Sequence, residues 1–246
     1  MESTVAEIAR NLYRIHTAVT DIPGGFSFNQ FLIADDEPLL FHTGHRRLFA
    51  SVSKAIATVL PLAKLRYLAF SHFESDECGA LNEFLATAPN AVPVCSRIGA
   101  MISVSDFADR APRPLADGER LSIGSRELSW IDAPQVPHGW EAGYLYDAAN
   151  KILFAGDLFT LPGTGDEAIV ESDLVGPAEA FWVGFSKGTG LPDYWSRSAD
   201  GLPVFERLAA LGATTLANMH GSCWRGAPET SASMIRELSR RVNATH

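Results

Sequence analysis

The sequence lacks several features that would assign its class at once. It has no apolar run of about 18 residues, the length that a membrane-spanning helix needs. It has three cysteines and no Cys-x-x-Cys pair, so no disulfide framework is expected. It has no basic cluster, and 20 Lys and Arg against 29 Asp and Glu give a net charge of −9. These absences argue against a membrane protein, a disulfide-rich secreted protein and a nucleic-acid-binding protein.

The amino terminus also lacks the features of a secretory signal. Residues 1–10 contain Glu2 and Glu7 and no apolar core. Together with the low cysteine content, this predicts a cytoplasmic location. Hydrophobic residues make up 46% of the chain and charged residues 20%, which is typical of a folded protein. At 246 residues we expect one domain spanning residues 1–246.

Local patterns predict two halves that are rich in β-strands. Phe26 to Ile33 carries aromatic residues at alternate positions, as a strand does, and Arg46 to Leu60 has apolar residues at helical spacing. Further strands are predicted at 38–42, 65–70, 91–95, 121–123, 128–131, 144–146, 152–155 and 214–217, and further helices at 79–88, 177–185, 204–211 and 231–242. This order predicts an α+β fold in which two sheets pack face to face with helices outside, an αββα four-layer sandwich.

The segment that follows strand 65–70 carries a candidate metal-binding motif, His72-x-Glu74-x-Asp76. In extended backbone, residues i, i+2 and i+4 point the same way, so we expect these three side chains to converge. One imidazole and two carboxylates form a mixed nitrogen and oxygen ligand set. The alternative is a polar loop that caps the next helix, with Asp76 as its N-cap.

Three more ligand-type residues follow predicted strands. His138 comes after strand 128–131, Asp157 after strand 152–155 and His220 after strand 214–217. Loops at strand ends often carry chemistry on a rigid scaffold. Each residue alone has a structural explanation, a turn cap for Asp157 and a buried core histidine for the other two. Their repeated position favours one shared metal site.

At this point the sequence resembles the metallo-β-lactamase superfamily. The resemblance is carried by Ser27 to Ile33, by the H-x-E-x-D-x-x-G motif of residues 72–79, by His138, by Leu-Phe-Ala-Gly-Asp at 153–157 and by His220-Gly221. Most hydrolases of the superfamily have H-x-H-x-D-H. Glu74, at the second place of the motif, is similar to the di-iron branch, which contains flavodiiron proteins and oxygen-binding di-iron proteins.

The resemblance implies two metal ions per chain. It assigns His72, Glu74 and His138 to one ion and Asp76 and His220 to the other, with Asp157 bridging them. Glu74 adds a hard oxygen donor, which favours iron over zinc. The cofactors are therefore expected to be two Fe per chain, with two Zn as the alternative.

Two positions depart from the pattern of the di-iron branch. Glu77 stands where that branch usually has a histidine directly after the motif Asp. It either ligates the second metal as a carboxylate or points away and leaves an open position for a small molecule. His42 stands where the Asp of an Asp-Thr-Gly often lies. It is either a hydrogen-bond partner behind a ligand carboxylate or a local turn histidine.

The leading functional hypothesis is a dinuclear metalloprotein that binds or reduces O2 or NO. No flavodoxin sequence follows this domain in the chain, so electrons are expected from a separate donor of the flavodoxin or rubredoxin type. Without a donor, the protein would act as a sensor or carrier with a signalling partner. The resemblance also implies a homodimer. The alternatives are a di-zinc hydrolase of a thioester, lactone or other small ester, and a scaffold without metal.

Overall fold

Two seven-stranded mixed sheets form the centre of the molecule in a computed structural model that describes residues 1–190, 194–199 and 201–244. The first sheet has the strand order β1-β2-β3-β4-β5-β6-β7. Its strands are β1 Ser3–Ala9, β2 Leu12–Val19, β3 Phe26–Ile33, β4 Leu39–Phe41, β5 Tyr67–Ala69, β6 Val92–Ser96 and β7 Arg113–Leu115. Strands β1 to β4 pair antiparallel and β4 to β7 pair parallel, because helical segments return the chain between the later strands.

The second sheet has the strand order β12-β14-β13-β11-β10-β9-β8. Its strands are β8 Arg120–Ser122, β9 Glu127–Asp132, β10 Gly143–Asp147, β11 Ile152–Gly156, β12 Ile169–Val170, β13 Thr215–Asn218 and β14 Cys223–Arg225. Strand β11 pairs parallel with β13, so the carboxyl ends of these two strands lie side by side. This pairing brings residues 157 and 220 to the same edge of the sheet.

Helices cover the outer face of each sheet. Their bounds are α1 Phe49–Ile56, α2 Ser75–Cys78, α3 Leu81–Thr87, α4 Arg97–Gly99, α5 Ser105–Phe107, α6 Val175–Thr189, α7 Gly201–Ala210 and α8 Pro228–Ala244. One apolar cluster packs α1 and α3 on the first sheet, and another packs α6, α7 and α8 on the second. A third cluster, with Phe31, Phe41, Trp130 and Phe154, fills the space between the sheets. The predicted αββα sandwich is confirmed.

Some predicted elements differ from the structure in extent. Strand β3 has the predicted bounds, whereas the helix predicted at 177–185 runs as α6 from Val175 to Thr189. Glycines at 176, 184 and 188 lower the helix propensity of this segment, and packing of Trp182 in the core compensates for it. Strands β7, β12 and β14 have two or three residues each, too few for a periodic signal. No helix among the described residues is long and apolar enough to cross a membrane.

Candidate metal centre

All six predicted ligands lie in segments that follow strands, five of them outside the α-helices and Asp76 in the short helix α2. His72 follows β5, His138 follows β9, Asp157 follows β11 and His220 follows β13. These strands belong to both sheets, so the loops meet where the edges of the two sheets lie together. The structure brings their side chains into three overlapping groups of closely spaced donor atoms: His72, Glu74 and His138; His72, Glu77 and Asp157; and Asp76, Glu77 and His220.

The expected alternation of residues 72, 74 and 76 is wrong for Asp76. The backbone is extended at Glu74, with φ −128° and ψ 165°, but helix α2 begins at Ser75. Asp76 and Glu77 therefore lie in the first turn of a helix, which directs them to His220 instead of His138. Glu74 holds the N-cap position and makes no side-chain capping bond, so the alternative role of Asp76 as N-cap is also wrong.

Asp157 lies between two histidines. Its Oδ1 is 3.2 Å from Nε2 of His220, and its Oδ2 is 3.8 Å from Nε2 of His138. The preceding Gly156 has φ +46°, and a Cβ at this position would lie 2.9 Å from Oγ of Ser71. The glycine thus permits the close approach of two strand ends that carry Asp157 and His72.

The other short distances divide the site into two halves. Nε2 of His138 lies 3.3 Å from Oε1 of Glu74, and Nε2 of His72 lies 3.8 Å from the same oxygen. On the other side, Nε2 of His220 lies 3.5 Å from Oδ2 of Asp76. These pairs match the two ligand sets that the resemblance implies, with Asp157 between them.

Hydrogen bonds at Nδ1 hold the histidine rings so that Nε2 faces the cluster. Nδ1 of His220 donates to the carbonyl oxygen of Ser27 at 2.8 Å, and Nδ1 of His138 lies 3.3 Å from the carbonyl oxygen of Tyr194. Such partners fix the tautomer of a metal-binding imidazole and leave its other nitrogen as a lone-pair donor.

Strand β3 fixes the loop that carries His220. Nδ2 of Asn29 donates to the carbonyl oxygens of Asn218 and Gly221, and the amide of Gly221 donates to Oγ of Ser27 at 2.9 Å. Sequence reasoning included this strand in the resemblance but gave it no role. Ser27 and Asn29 are buried on this strand, and the backbone of the loop supplies their hydrogen-bond partners.

His42 lies behind a histidine of the cluster, and not behind a carboxylate as one hypothesis held. Oγ of Ser71 is 3.0 Å from Nε2 of His42 and 3.0 Å from Nδ1 of His72, so the serine connects the two rings. His42 is fully buried, and burial lowers its pKa to about 3. It is therefore a neutral support for His72.

Glu77 points into the cluster and not away from it. Its side chain is 0% exposed, and neither carboxylate oxygen has a hydrogen-bond partner. Oε2 lies 3.8 Å from Nε2 of His72. Burial, followed by the charges of Asp76, Asp157 and Glu74, raises the pKa of Glu77 well above its ordinary value.

The histidines have the opposite effect on Asp157. Burial alone would raise the pKa of this carboxyl group, but His220, His72 and His138 outweigh it and the pKa lies well below its usual range. The same contacts raise the pKa of His220, because Asp157 more than offsets the burial of the ring. The pKa values of the two buried carboxyl groups Asp157 and Glu77 are thus shifted in opposite directions by their neighbours.

A cavity of about 280 Å³ opens onto the cluster, and sequence reasoning missed most of its walls. Its lining outside the predicted ligands consists of Ile22, Phe26, Thr160, Phe181, Phe185 and Tyr194. The hydroxyl group of Tyr194 lies 2.7 Å from Oγ1 of Thr160 and donates to Oδ2 of Asp157 at 3.3 Å. Phe181 and Phe185 occupy positions i and i+4 of α6, a spacing that could have indicated one shared helix face.

Comparison with known proteins supplies a family and a fold. A profile described as "ODP family beta lactamase" matches residues 26–183, more than half of the chain. The nitric oxide reductase of Moorella thermoacetica is 26% identical over 160 residues, which cover 63% of this chain and 39% of that protein. The chain spans about a third of the length of the curated relatives that it matches.

Solved structures show the same fold at lower sequence identity. Rubredoxin oxygen:oxidoreductase from Desulfovibrio gigas matches with a TM-score of 0.80 and 20% identity, over 96% of this chain and 61% of that chain. The flavodiiron protein from Giardia intestinalis matches with a TM-score of 0.80 and 21% identity, over 100% of this chain and 60% of that chain. The metallo-β-lactamase-like fold of flavodiiron cores is therefore the fold of this chain.

Proposed function

The chain belongs to the ODP family of β-lactamase-like proteins, and from that premise we propose that it is a dinuclear iron protein that binds or reduces O2 or NO. One observation carries the proposal. Four polar side chains of the cluster have buried atoms with no hydrogen-bond partner, and these atoms face one another. They are Nε2 of His72, Nε2 of His138, Oδ1 of Asp157 and both oxygens of Glu77.

Unpartnered buried polar atoms are rare in folded proteins because their desolvation is not repaid. A group of them around one point is the arrangement that a bound cation completes. His72, Glu74 and His138 would hold one ion, Asp76 and His220 the other, and Asp157 would bind both. When bound, the iron pair would supply one-electron steps and Lewis acidity.

The donor set favours iron over zinc. Three imidazoles and several carboxylate oxygens suit a cation that accepts hard ligands, and the described cysteines lie outside the cluster. All three cysteines are buried and reduced, and burial raises the pKa of Cys95 to about 12. These residues therefore supply no soft thiolate donor to the site.

The cavity supports a small neutral ligand. Its outer wall is formed by Ile22, Phe26, Phe181 and Phe185, which offer no hydrogen bond or charge to a larger polar substrate. Tyr194 is the polar wall residue that contacts the cluster, and its hydroxyl proton is held between Thr160 and Asp157. This contact orients Asp157 beside the space that a diatomic molecule would occupy.

Reduction would need a separate electron donor of the flavodoxin or rubredoxin type. Relatives named nitric oxide reductase and rubredoxin-oxygen oxidoreductase support a redox role, although this chain spans about a third of their length. With a signalling partner in place of a donor, the same site would act as an O2 sensor. A homodimer is part of the proposal by family resemblance.

The test is metal analysis of protein purified without oxygen from cells grown with both iron and zinc. We expect about two irons per chain and an absorption band that changes when O2 or NO is added. Asp157→Asn should lose most of the iron, whereas Asp106→Asn, the same change at an exposed position, should keep it. Stoichiometric zinc without iron, with ester hydrolysis lost in Asp76→Ala, would support a di-zinc hydrolase instead.

A further inference from the structure

Arg14, on β2, places a charged side chain inside the molecule, where it is 2% exposed. Its hydrogen-bond partners in the described part of the chain are backbone carbonyls and neutral side chains, and none is a carboxylate. Nη2 donates to the carbonyl oxygens of Gly165 at 2.6 Å and Gly221 at 3.0 Å. Nη1 donates to the carbonyl oxygen of Glu167 at 3.2 Å, and Nε to Oδ1 of Asn29 at 2.8 Å. A buried guanidinium group is costly unless it is hydrogen-bonded, so this geometry is a built feature of the fold.

The carbonyl groups that Arg14 binds belong to two loops that touch each other. The first loop, residues 157–168, lies between β11 and β12, and the second, residues 219–222, lies between β13 and β14. Gly165 and Gly221 have φ angles of +62° and +76°, and a Cβ on Gly165 would lie 2.8 Å from Cα of Gly221. The two backbones are therefore in direct contact where the guanidinium group binds both of them. Each loop also contains one predicted ligand.

The chemistry of arginine suits this double contact. A guanidinium group is planar, carries five N–H donors in fixed directions and has no acceptor. Nδ1 of His16 lies 2.7 Å from Nη2 of Arg14, so the imidazole accepts this hydrogen bond. Asn29, which accepts from Nε, donates to the carbonyl oxygen of Gly221 at 2.7 Å. The network thus holds the 219–222 loop from two sides and connects it to the 157–168 loop.

We propose that Arg14 is a positioning residue for His220. It joins the 157–168 loop to the 219–222 loop and so fixes the separation of Asp157 and His220, whose Oδ1 and Nε2 atoms lie 3.2 Å apart. This inference rests on the proposed function. Arg14 acts through the backbone of the two loops, and its effect falls on the second metal position, the one that Asp76, Asp157 and His220 would form.

The first metal position, formed by His72, Glu74 and His138, has separate supports. Oγ of Ser71 holds the ring of His72, and the carbonyl oxygen of Tyr194 lies next to Nδ1 of His138. The printed hydrogen bonds of Arg14 reach neither of these histidines nor the residues that hold them. Loss of Arg14 should therefore weaken binding of one ion and leave the other in place.

Arg14→Met and Arg14→Lys test this role. Methionine keeps an unbranched apolar stem and removes every donor, whereas lysine keeps the charge without the planar fork. Affinities are measured by titration with Fe(II) without oxygen and with Zn(II) in competition with a chelator, and native mass spectrometry counts the ions per chain. Both variants should bind the first ion as wild type does and the second ion about 10-fold more weakly or worse. Full second-ion affinity in Arg14→Lys would overturn the inference.

Arg110→Met is the matched control. Arg110 also donates to three backbone carbonyls, those of Leu85, Ala88 and Ala91 near the end of α3, outside the cluster. This variant should lower the melting temperature and leave both ion affinities unchanged. If it weakened the second ion as much as Arg14→Met does, the effect would be a general loss of stability, and the inference would be wrong.

Hydrogen exchange on the wild-type protein tests the connection between the loops without any variant. Loading of the second ion should slow amide exchange at residues 165–167 as well as at 219–222, because Arg14 joins the two segments. In Arg14→Lys the slowing at 165–167 should be lost. Slowing confined to residues 219–222 in wild type would contradict the inference.

The outcomes separate this inference from the proposed function. If wild type binds two ions and both Arg14 variants bind them with unchanged affinities, the proposed function stands and Arg14 has only a structural role. If wild type itself binds no metal, the proposed function is wrong, and the role of Arg14 at a metal position is wrong with it.

Discussion

Two buried carboxylates in this molecule have the same exposure and opposite surroundings. Asp147, at the end of β10, is 0% exposed and receives hydrogen bonds from Nη1 of Arg126 at 2.5 Å and from the amide and side chain of Asn150. Glu77 is equally buried and receives none. The chain completes the first site by itself, whereas at the second site it leaves both carboxyl oxygens without a hydrogen-bond partner.

The comparison separates structural from functional burial of charge. Arg126 also donates to the carbonyl oxygen of Arg10 in the turn between β1 and β2, so the Arg126–Asp147 pair links the first strands to the second sheet. A charge buried for stability has its partner in the same chain. A buried acid with a strongly shifted pKa and no hydrogen-bond partner instead marks a candidate functional site.

Metal loading should change the stability of the protein more than any of the substitutions below. The added stability should come from the cluster that contains Glu77 and not from the Arg126–Asp147 pair. Each ion present at about a thousand times its dissociation constant adds about 4 kcal/mol of stability, so two ions add about 8 kcal/mol. For a chain of this size we expect the melting temperature to rise by at least about 15 °C. Calorimetry with and without a chelator measures this rise, and equal melting temperatures would contradict the two-metal proposal.

Asp147→Asn should cause the next largest change in the free energy of unfolding. This loss of stability should not depend on whether metal is bound. The change leaves the buried Arg126 without its charged partner, which costs about 3–5 kcal/mol. Denaturant unfolding should show the same loss in the metal-free and the loaded protein. Glu127→Gln, which weakens an exposed pair with Arg120, is the matched control. A loss that differs between the two states would mean that the two sites are coupled.

The free energy of unfolding of the metal-free protein should depend on pH, because the fold keeps His42 neutral. Its pKa is about 3 in the folded protein and about 6.5 in the unfolded chain, so the unfolded state binds more protons between these values. Stability is therefore lost as pH falls through this window, by about 2 kcal/mol between about pH 7.5 and pH 5.

His42→Asn should remove this component of the pH dependence. Asparagine tolerates the positive φ of 65° at this position, so the backbone is preserved. The difference between the stability curves of wild type and variant isolates His42, because Glu77 contributes equally to both. Parallel curves over this range would show that His42 is not held neutral by the fold.

Removal of an exposed ion pair should cause the smallest change in the free energy of unfolding. Arg236 and Glu206 lie 3.0 Å apart on α8 and α7, with about half of each side chain in water. Arg236→Ala should cost about 0.5 kcal/mol or less by denaturant unfolding, and the loss should shrink further in high salt. If Arg236→Ala lost as much stability as Asp147→Asn, burial would not explain why the Arg126–Asp147 pair contributes more stability than the Arg236–Glu206 pair.

Much of the candidate site could be predicted because its signals are local. His72, His138, Asp157 and His220 each follow a strand, and a strand end can be recognised from a few residues. The direction of the Asp76 side chain could not be predicted, because helix α2 has only four residues and so gives no periodic signal in the sequence. The residues named from the sequence do lie close together in the structure, and one of them, Asp76, has a different backbone geometry from the one expected.

The sequence by itself determined many of the strands and longer helices, the positions of ligand-type residues at strand ends and the family. These follow from hydrophobic periodicity and short motifs, which act over a few residues. Only the tertiary structure decided that Glu77 is buried without a partner, that Ser71 connects His42 to His72, and that Tyr194 and the α6 phenylalanines form the cavity. Those features join segments far apart in the chain, and their geometry is set by how the two sheets and their helices pack.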